Sequence, residues 1–145
     1  MGLSNSLIID KSMELKVGDS ASITQKATTM LVEKYGQVSG DYNPVHFDDQ
    51  YAKTLGFDGR MMHGLFCMGM ISYLVGTVMP GQGAIFIDEE VRYVRPVYID
   101  DEITATVRIL SVNSEKKRLE VGFICKNQCD LVVMQGKTRV LCKLV

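Results

Sequence analysis

The chain of 145 residues has little of several things, and each shortage narrows what it can do. It has two histidines, His46 and His63, too few for an imidazole-built metal centre without gathered carboxylates, so no resident metal is expected. Its four cysteines, Cys67, Cys125, Cys129 and Cys142, match no zinc or redox spacing. Cys67, Cys125 and Cys142 lie in apolar runs and read as small buried thiols, which fits a reducing, cytoplasmic setting. Charge of one sign is missing too. The formal net charge is -1, and the lone basic triplet, Lys116-Lys117-Arg118, sits between two strand-like runs as a solvated turn. A nucleic-acid partner is therefore disfavoured. There is no glycine-rich phosphate loop, no Gly-x-Ser-x-Gly around a serine, and no charged-then-apolar signal region at the start. Residues 1–6 match the myristoylation pattern, but so short a pattern arises often by chance. No repeat, linker or low-complexity stretch divides the chain, which reads as a single domain, 1–145.

What is present is an ordinary globular composition, 46% hydrophobic and 23% charged, long enough for a core. Residues 20–25 suggest an edge strand after a turn at Val17-Gly18-Asp19. Thr28 or Thr29 caps a short helix over about 30–38, which Ser39-Gly40 stops. The segment 41–44 cannot be regular helix, because Pro44 lacks a donor and holds Asn43 extended. Asp48 caps a second helix over 49–55, closed by Gly56. Residues 61–79 are nearly free of charge and long enough to cross a bilayer. His63 within the run, its three glycines, and the absence of a flanking basic cluster favour a helix buried at the centre of a domain, with no membrane partner. Pro80-Gly81 ends it. From there the hydrophobic period changes to two. Strands are expected over 84–87, 90–94, 102–110, 118–125 and 131–144, joined by short turns, so the sheet should be antiparallel and curl around the apolar helix. The fold class is α+β.

The chemistry concentrates between residues 38 and 64. Asp41 and His46 lie five positions apart on a turn stiffened by Pro44, so a carboxylate and an imidazole can share proton transfer in one cavity. The competing reading is a turn-forming aspartate and a histidine packed at a helix start. If Gly64 lies in the first turn of the apolar helix, its N–H is unpaired, aligned with the positive end of the dipole, and suited to a developing oxyanion; packing against the sheet would also explain a glycine there. His63 is either a ligand or base, or a buried ring bonded to a backbone carbonyl. Ser72 lies eight positions beyond Gly64 and either meets substrate or bonds back to its own helix. Arg92, Arg95, Lys137 and Arg139 are candidates for phosphates at a cleft mouth, or solvated strand faces.

Ser39-Gly40-Asp41-Tyr42-Asn43-Pro44-Val45-His46, followed by Met62-His63-Gly64 and Ser72, closely resembles the MaoC-like (R)-specific enoyl-CoA hydratases. Residues 80–83 and 95–102 are similar to that family as well, and the resemblance covers about 15–142. It implies a hot-dog fold, a long helix wrapped by a curved antiparallel sheet, assembled as a homodimer or a dimer of dimers. It implies hydration of a trans-2-enoyl-CoA to the (R)-3-hydroxyacyl-CoA, with coenzyme A part of the substrate and no separate cofactor. By resemblance Asp41 and His46 hold and activate the water, the Gly64 N–H stabilises the enolate, Ser72 and His63 line the site, and Asn43 orients the loop. Two other readings stand beside this one. One is a dehydratase acting on acyl-carrier-protein thioesters in fatty-acid synthesis. The other is a non-catalytic acyl-CoA-binding module of the same fold.

Overall fold

A computed structural model describes residues 14–143; the myristoylation pattern and Leu144 lie outside them. Among the described residues five strands form one antiparallel sheet in the order β1-β3-β4-β5-β2. β1 is Ser20–Lys26, β2 Ala84–Tyr93, β3 Glu102–Asn113, β4 Arg118–Lys126 and β5 Val132–Cys142. The alternation in β3 and β4 does what period two requires. Ile103, Ala105, Val107 and Ile109, with Leu119, Val121, Phe123 and Cys125, all turn inward and are buried.

Against that inner face lies the apolar run. It is helical from Leu65, as α3 (Leu65–Tyr73), and widens into a π-helical stretch over Leu74–Val78. Phe66, Met70, Ile71, Leu74, Val75 and Val78 are buried in the same cluster as the strand residues. Each fully buried side chain of this size contributes about 1.5–3 kcal/mol of transfer free energy. This arrangement is the hot-dog fold that the motifs imply.

Two expectations need correction. The helix does not begin at residue 61: Met61 forms an isolated β-bridge with Tyr98, and the Met62 N–H donates to the Val97 carbonyl at 2.8 Å. The run from Leu65 to Val78 is too short to span the ~30 Å of a bilayer core at 1.5 Å per residue. Among the described residues no helix is long and apolar enough to cross a membrane. The expected strands 84–87 and 90–94 are one strand, β2. The acidic residues between them mark a register shift between Phe86 and Asp88, not a break. At the shift the buried Thr138 hydroxyl donates to the Asp88 carbonyl at 2.7 Å, and Arg139 pairs with the Asp88 carboxylate.

Two short helices close one end. α1 (Thr29–Ser39) is capped by Thr28, whose hydroxyl accepts from Leu31 N, and is ended by Gly40 in the left-handed conformation. α2 (Asp49–Thr54) starts at Asp48, whose carboxylate accepts from the N–H groups of Gln50 and Tyr51. Between them runs the segment that carries Asp41 and His46. The hairpin turn at Lys116-Lys117 falls where it was expected.

Candidate active site

The loop after α1 owes its shape to local bonds. Asp41 Oδ1 accepts from the Asn43 N–H at 3.1 Å, and Asn43 Oδ1 accepts from the Val45 N–H at 3.3 Å. Asn43 thereby caps a single 3₁₀ turn, Pro44–His46, with Pro44 in its first position. Gly36 of α1 lets the turn lie close to the helix: a Cβ there would stand 2.9 Å from the Phe47 ring and 3.1 Å from the Tyr42 ring.

The two histidines are tied to opposite segments. His46 Nδ1 lies 2.9 Å from the Met61 carbonyl oxygen, and His63 Nε2 lies 2.9 Å from the Asp41 carbonyl oxygen. A carbonyl only accepts, so each of those nitrogens carries its proton. In the neutral His46 ring the lone pair is then on Nε2, which lies 3.9 Å from Asp41 Oδ2. That is too long for a direct hydrogen bond, and a water bonded to both atoms fits such a separation. His46 is largely buried and Asp41 about half exposed, with side chains 12% and 47% accessible. Burial is the main reason the His46 pKa is lowered. The Met61 carbonyl and the Asp41 carboxylate oppose the shift, and His63 adds to it. At neutral pH His46 is therefore an available base.

The rings of His46 and His63 stack with centroids 3.9 Å apart, and Tyr35 of α1 lies 4.5 Å beyond His63. His63 is 2% exposed, and its bond to a backbone carbonyl is the blander of the two sequence readings. Gly64 is the N-cap residue of α3, with helical angles and no side-chain cap bond, so its N–H precedes the first intrahelical bond. Tyr93 packs over it, its ring 3.2 Å from where a Cβ would be, so a larger residue here would push that ring aside by a few tenths of an ångström. Gly64, His63, Cys67, Tyr93 and Arg95 line one cavity of about 290 Å³.

The structure thus brings together Asp41, His46 and His63, places Asn43 in the turn that holds them, and sets Gly64 next to His63. Ser72 is exposed on α3, about 12 Å along the axis from Gly64, outside this cluster. Of the four basic candidates, Lys137 pairs with Glu90 and Arg139 with Asp88 on the outer sheet face, and Arg95 borders the Gly64 cavity. Tyr35 and Met61 were missed from sequence; neither has a motif, and only the folded chain brings them to the histidines. Asp41, His46 and His63 have ligand atoms within 4.8 Å of one another. The carbonyl bonds of His46 Nδ1 and His63 Nε2 leave one nitrogen of each ring, His46 Nε2 and His63 Nδ1, outside those bonds.

A single antiparallel sheet wrapped around an apolar helix defines a hot-dog protein, here with a carboxylate and an imidazole 3.9 Å apart on the loop after α1. Residues 12–125 match the family described as MaoC like domain, and the chain belongs to that family. It is 33% identical over 135 residues to an "(R)-specific enoyl-CoA hydratase" of Rhodospirillum rubrum, covering 93% of each chain. It is 32% identical to a mitochondrial "3-hydroxyacyl-[acyl-carrier-protein] dehydratase" of Arabidopsis thaliana, covering 88% of this chain and 77% of the relative. Among solved structures, an (R)-hydratase from A. caviae involved in PHA biosynthesis superposes with a TM-score of 0.85 at 26% identity, covering 90% of this chain and 99% of that one.

Proposed function

We propose that the protein is an (R)-specific enoyl-CoA hydratase, a hydro-lyase that reversibly adds water to a trans-2-enoyl-CoA. One observation carries the reading: the lone pair of His46 Nε2 and the Asp41 carboxylate face each other across 3.9 Å, the span of one bridging water. In hydration, that water's oxygen bonds to C3 of the enoyl group and His46 takes its proton. The electrons of the double bond move onto the thioester oxygen, where the Gly64 N–H at the helix start meets the developing charge. The proton taken by His46 passes across the gap to the Asp41 carboxylate, which delivers it to C2, so both groups end as they began. Coenzyme A is carried by the substrate, and the reaction draws on no metal or further cofactor.

The carrier is the point on which the relatives divide, since one is named for an acyl-carrier-protein substrate. A chain with a formal net charge of -1 supports coenzyme A over an acidic carrier protein. We also infer a homodimer in the cytoplasm. β2 is an edge strand that presents the exposed Ile85 and Ile87, and Leu65 and Ser72 are exposed on α3; a second copy would cover both.

The test is hydration of crotonyl-CoA and longer enoyl thioesters, on both carriers, with product chirality determined. Asp41→Asn and His46→Gln should each lower kcat by about 10²–10⁴-fold in a chain that still folds. Near-normal turnover in either variant would remove the mechanism, and faster turnover on the protein carrier would exchange the substrate assignment.

A further inference from the structure

His63 is an odd residue to bury. Its ring fills a slot between the Tyr35 and His46 rings, with Phe47 edge-on at 5.9 Å. A phenylalanine would fill the same kind of slot and leave no polar atom behind. The histidine instead leaves Nδ1 buried with no partner among the described residues, a cost to stability. What it supplies in return is one donor, the Nε2–H aimed at the Asp41 carbonyl, 22 residues away in sequence. That bond is the counterpart of the one from His46 to the Met61 carbonyl. Each histidine grips the backbone of the segment that carries the other.

We propose that His63 is a positioning residue: its Nε2–H holds the Asp41 backbone while its ring backs the ring of His46, so that acid and base stay one water apart. This rests on the reading of Asp41 and His46 as the reacting pair. Without the bond the Asp41 end of the loop is held to the segment before α3 only through His46 and Val45 further along, which bond to Met61, and the carboxylate is left to its exposed surroundings. The titratable groups facing His46 are Asp41 from its own loop and His63 from the segment before α3. Tyr35 of α1 lies behind His63, and Cys67, Tyr93 and Arg95 border the cavity beyond. His63 is one of the influences that lower the His46 pKa, after burial, so an apolar ring at 63 should let it rise.

The experiment compares His63→Phe, His63→Gln and His63→Asn in the full chain. A glutamine amide can reach the place of Nε2; an asparagine amide falls one bond short. His63→Phe should melt near the wild-type temperature yet lose about 10- to 100-fold in kcat with KM little changed, the scale of a misplaced reacting group. The acid limb of its pH profile should move to higher pH. His63→Gln should recover most of the lost kcat, and His63→Asn should not. Wild-type kcat and pH profile in His63→Phe, or equal impairment of the glutamine and asparagine variants, would overturn the proposal. If His63→Phe does not fold, the glutamine–asparagine comparison decides. The controls separate the two ideas: an active wild type silenced by Asp41→Asn but indifferent to residue 63 refutes this inference alone. If the wild type hydrates no enoyl thioester, the dyad reading fails. The NMR titration of His46 then still tests the contact, because an unchanged titration in His63→Phe refutes it.

Discussion

Replacing Gly36 with alanine sets two effects against each other at a distance from the reacting groups. Gly36 lies inside α1, where alanine is favoured over glycine by about 1 kcal/mol of helix propensity. The added methyl, however, would stand 2.9 Å from Phe47 Cζ and 3.1 Å from Tyr42 Cε1, closer than atoms pack without moving. Overpacking of this kind costs about 1–3 kcal/mol. The net change is a loss of about 0–2 kcal/mol, and at roughly 3 °C per kcal/mol for a chain of this size, Tm should fall by at most about 6 °C. The neighbours that must yield are ring tips, by a few tenths of an ångström, and they flank the reacting pair: Tyr42 follows Asp41 and Phe47 follows His46. If a full ångström of misplacement costs about a hundredfold, this shift should lower kcat about 5- to 10-fold. Thermal denaturation and a hydration assay on the same preparation read both numbers. A variant stabilised by the whole propensity gain, with undiminished kcat, would show that α1 does not press on the loop and that the close approach is irrelevant to the site.

At Gly64 the amide and the side-chain position can be separated. Its φ of -56° suits proline, so Gly64→Ala keeps the N–H while Gly64→Pro deletes it. Both variants meet Tyr93, and the proline should be slower than the alanine by about 10²–10³-fold in kcat if that amide receives the oxyanion. Because His46 acts unprotonated and burial lowers its pKa, kcat/KM should rise with pH through a limb below the ordinary histidine value of about 6.5. The same shift links to folding. The unfolded chain takes up a proton near pH 6.5 that the folded state resists, so denaturant-measured stability should decline as pH falls from about 6.5 toward the lowered pKa, and a flat response there would contradict the burial of His46.

Local signals were readable where their causes are local. Thr28 and Asp48 accept from N–H groups two or three residues ahead, and Gly40 stops α1 by its own backbone angles; such features need no knowledge of the rest of the fold. The alternation in β3 and β4 was equally plain because each strand has one face in water. The start of α3 was not, since Met61 and Met62 are as apolar as the helix itself, and only pairing with Tyr98 and Val97 shows that they are extended. A strand break near Asp88 takes a bulge for a turn, because charge at that point is answered by Arg139, 51 residues away. In the site, Asp41, Asn43 and His46 fall within six residues and are legible as a group. Which nitrogen of His46 is free depends on the Met61 carbonyl, and the contact of His63 with Asp41 depends on how two loops meet.

The paired ties between residues 41 and 63 and between 46 and 61 act as a buckle with two prongs. Undoing one prong loosens the strap that carries the other, so the two segments should open as a unit, below the free energy of global unfolding. In hydrogen exchange their amides would then report one shared protection, distinct from that of the sheet. A change at either prong could leave a molecule fully folded, normal by circular dichroism, and silent.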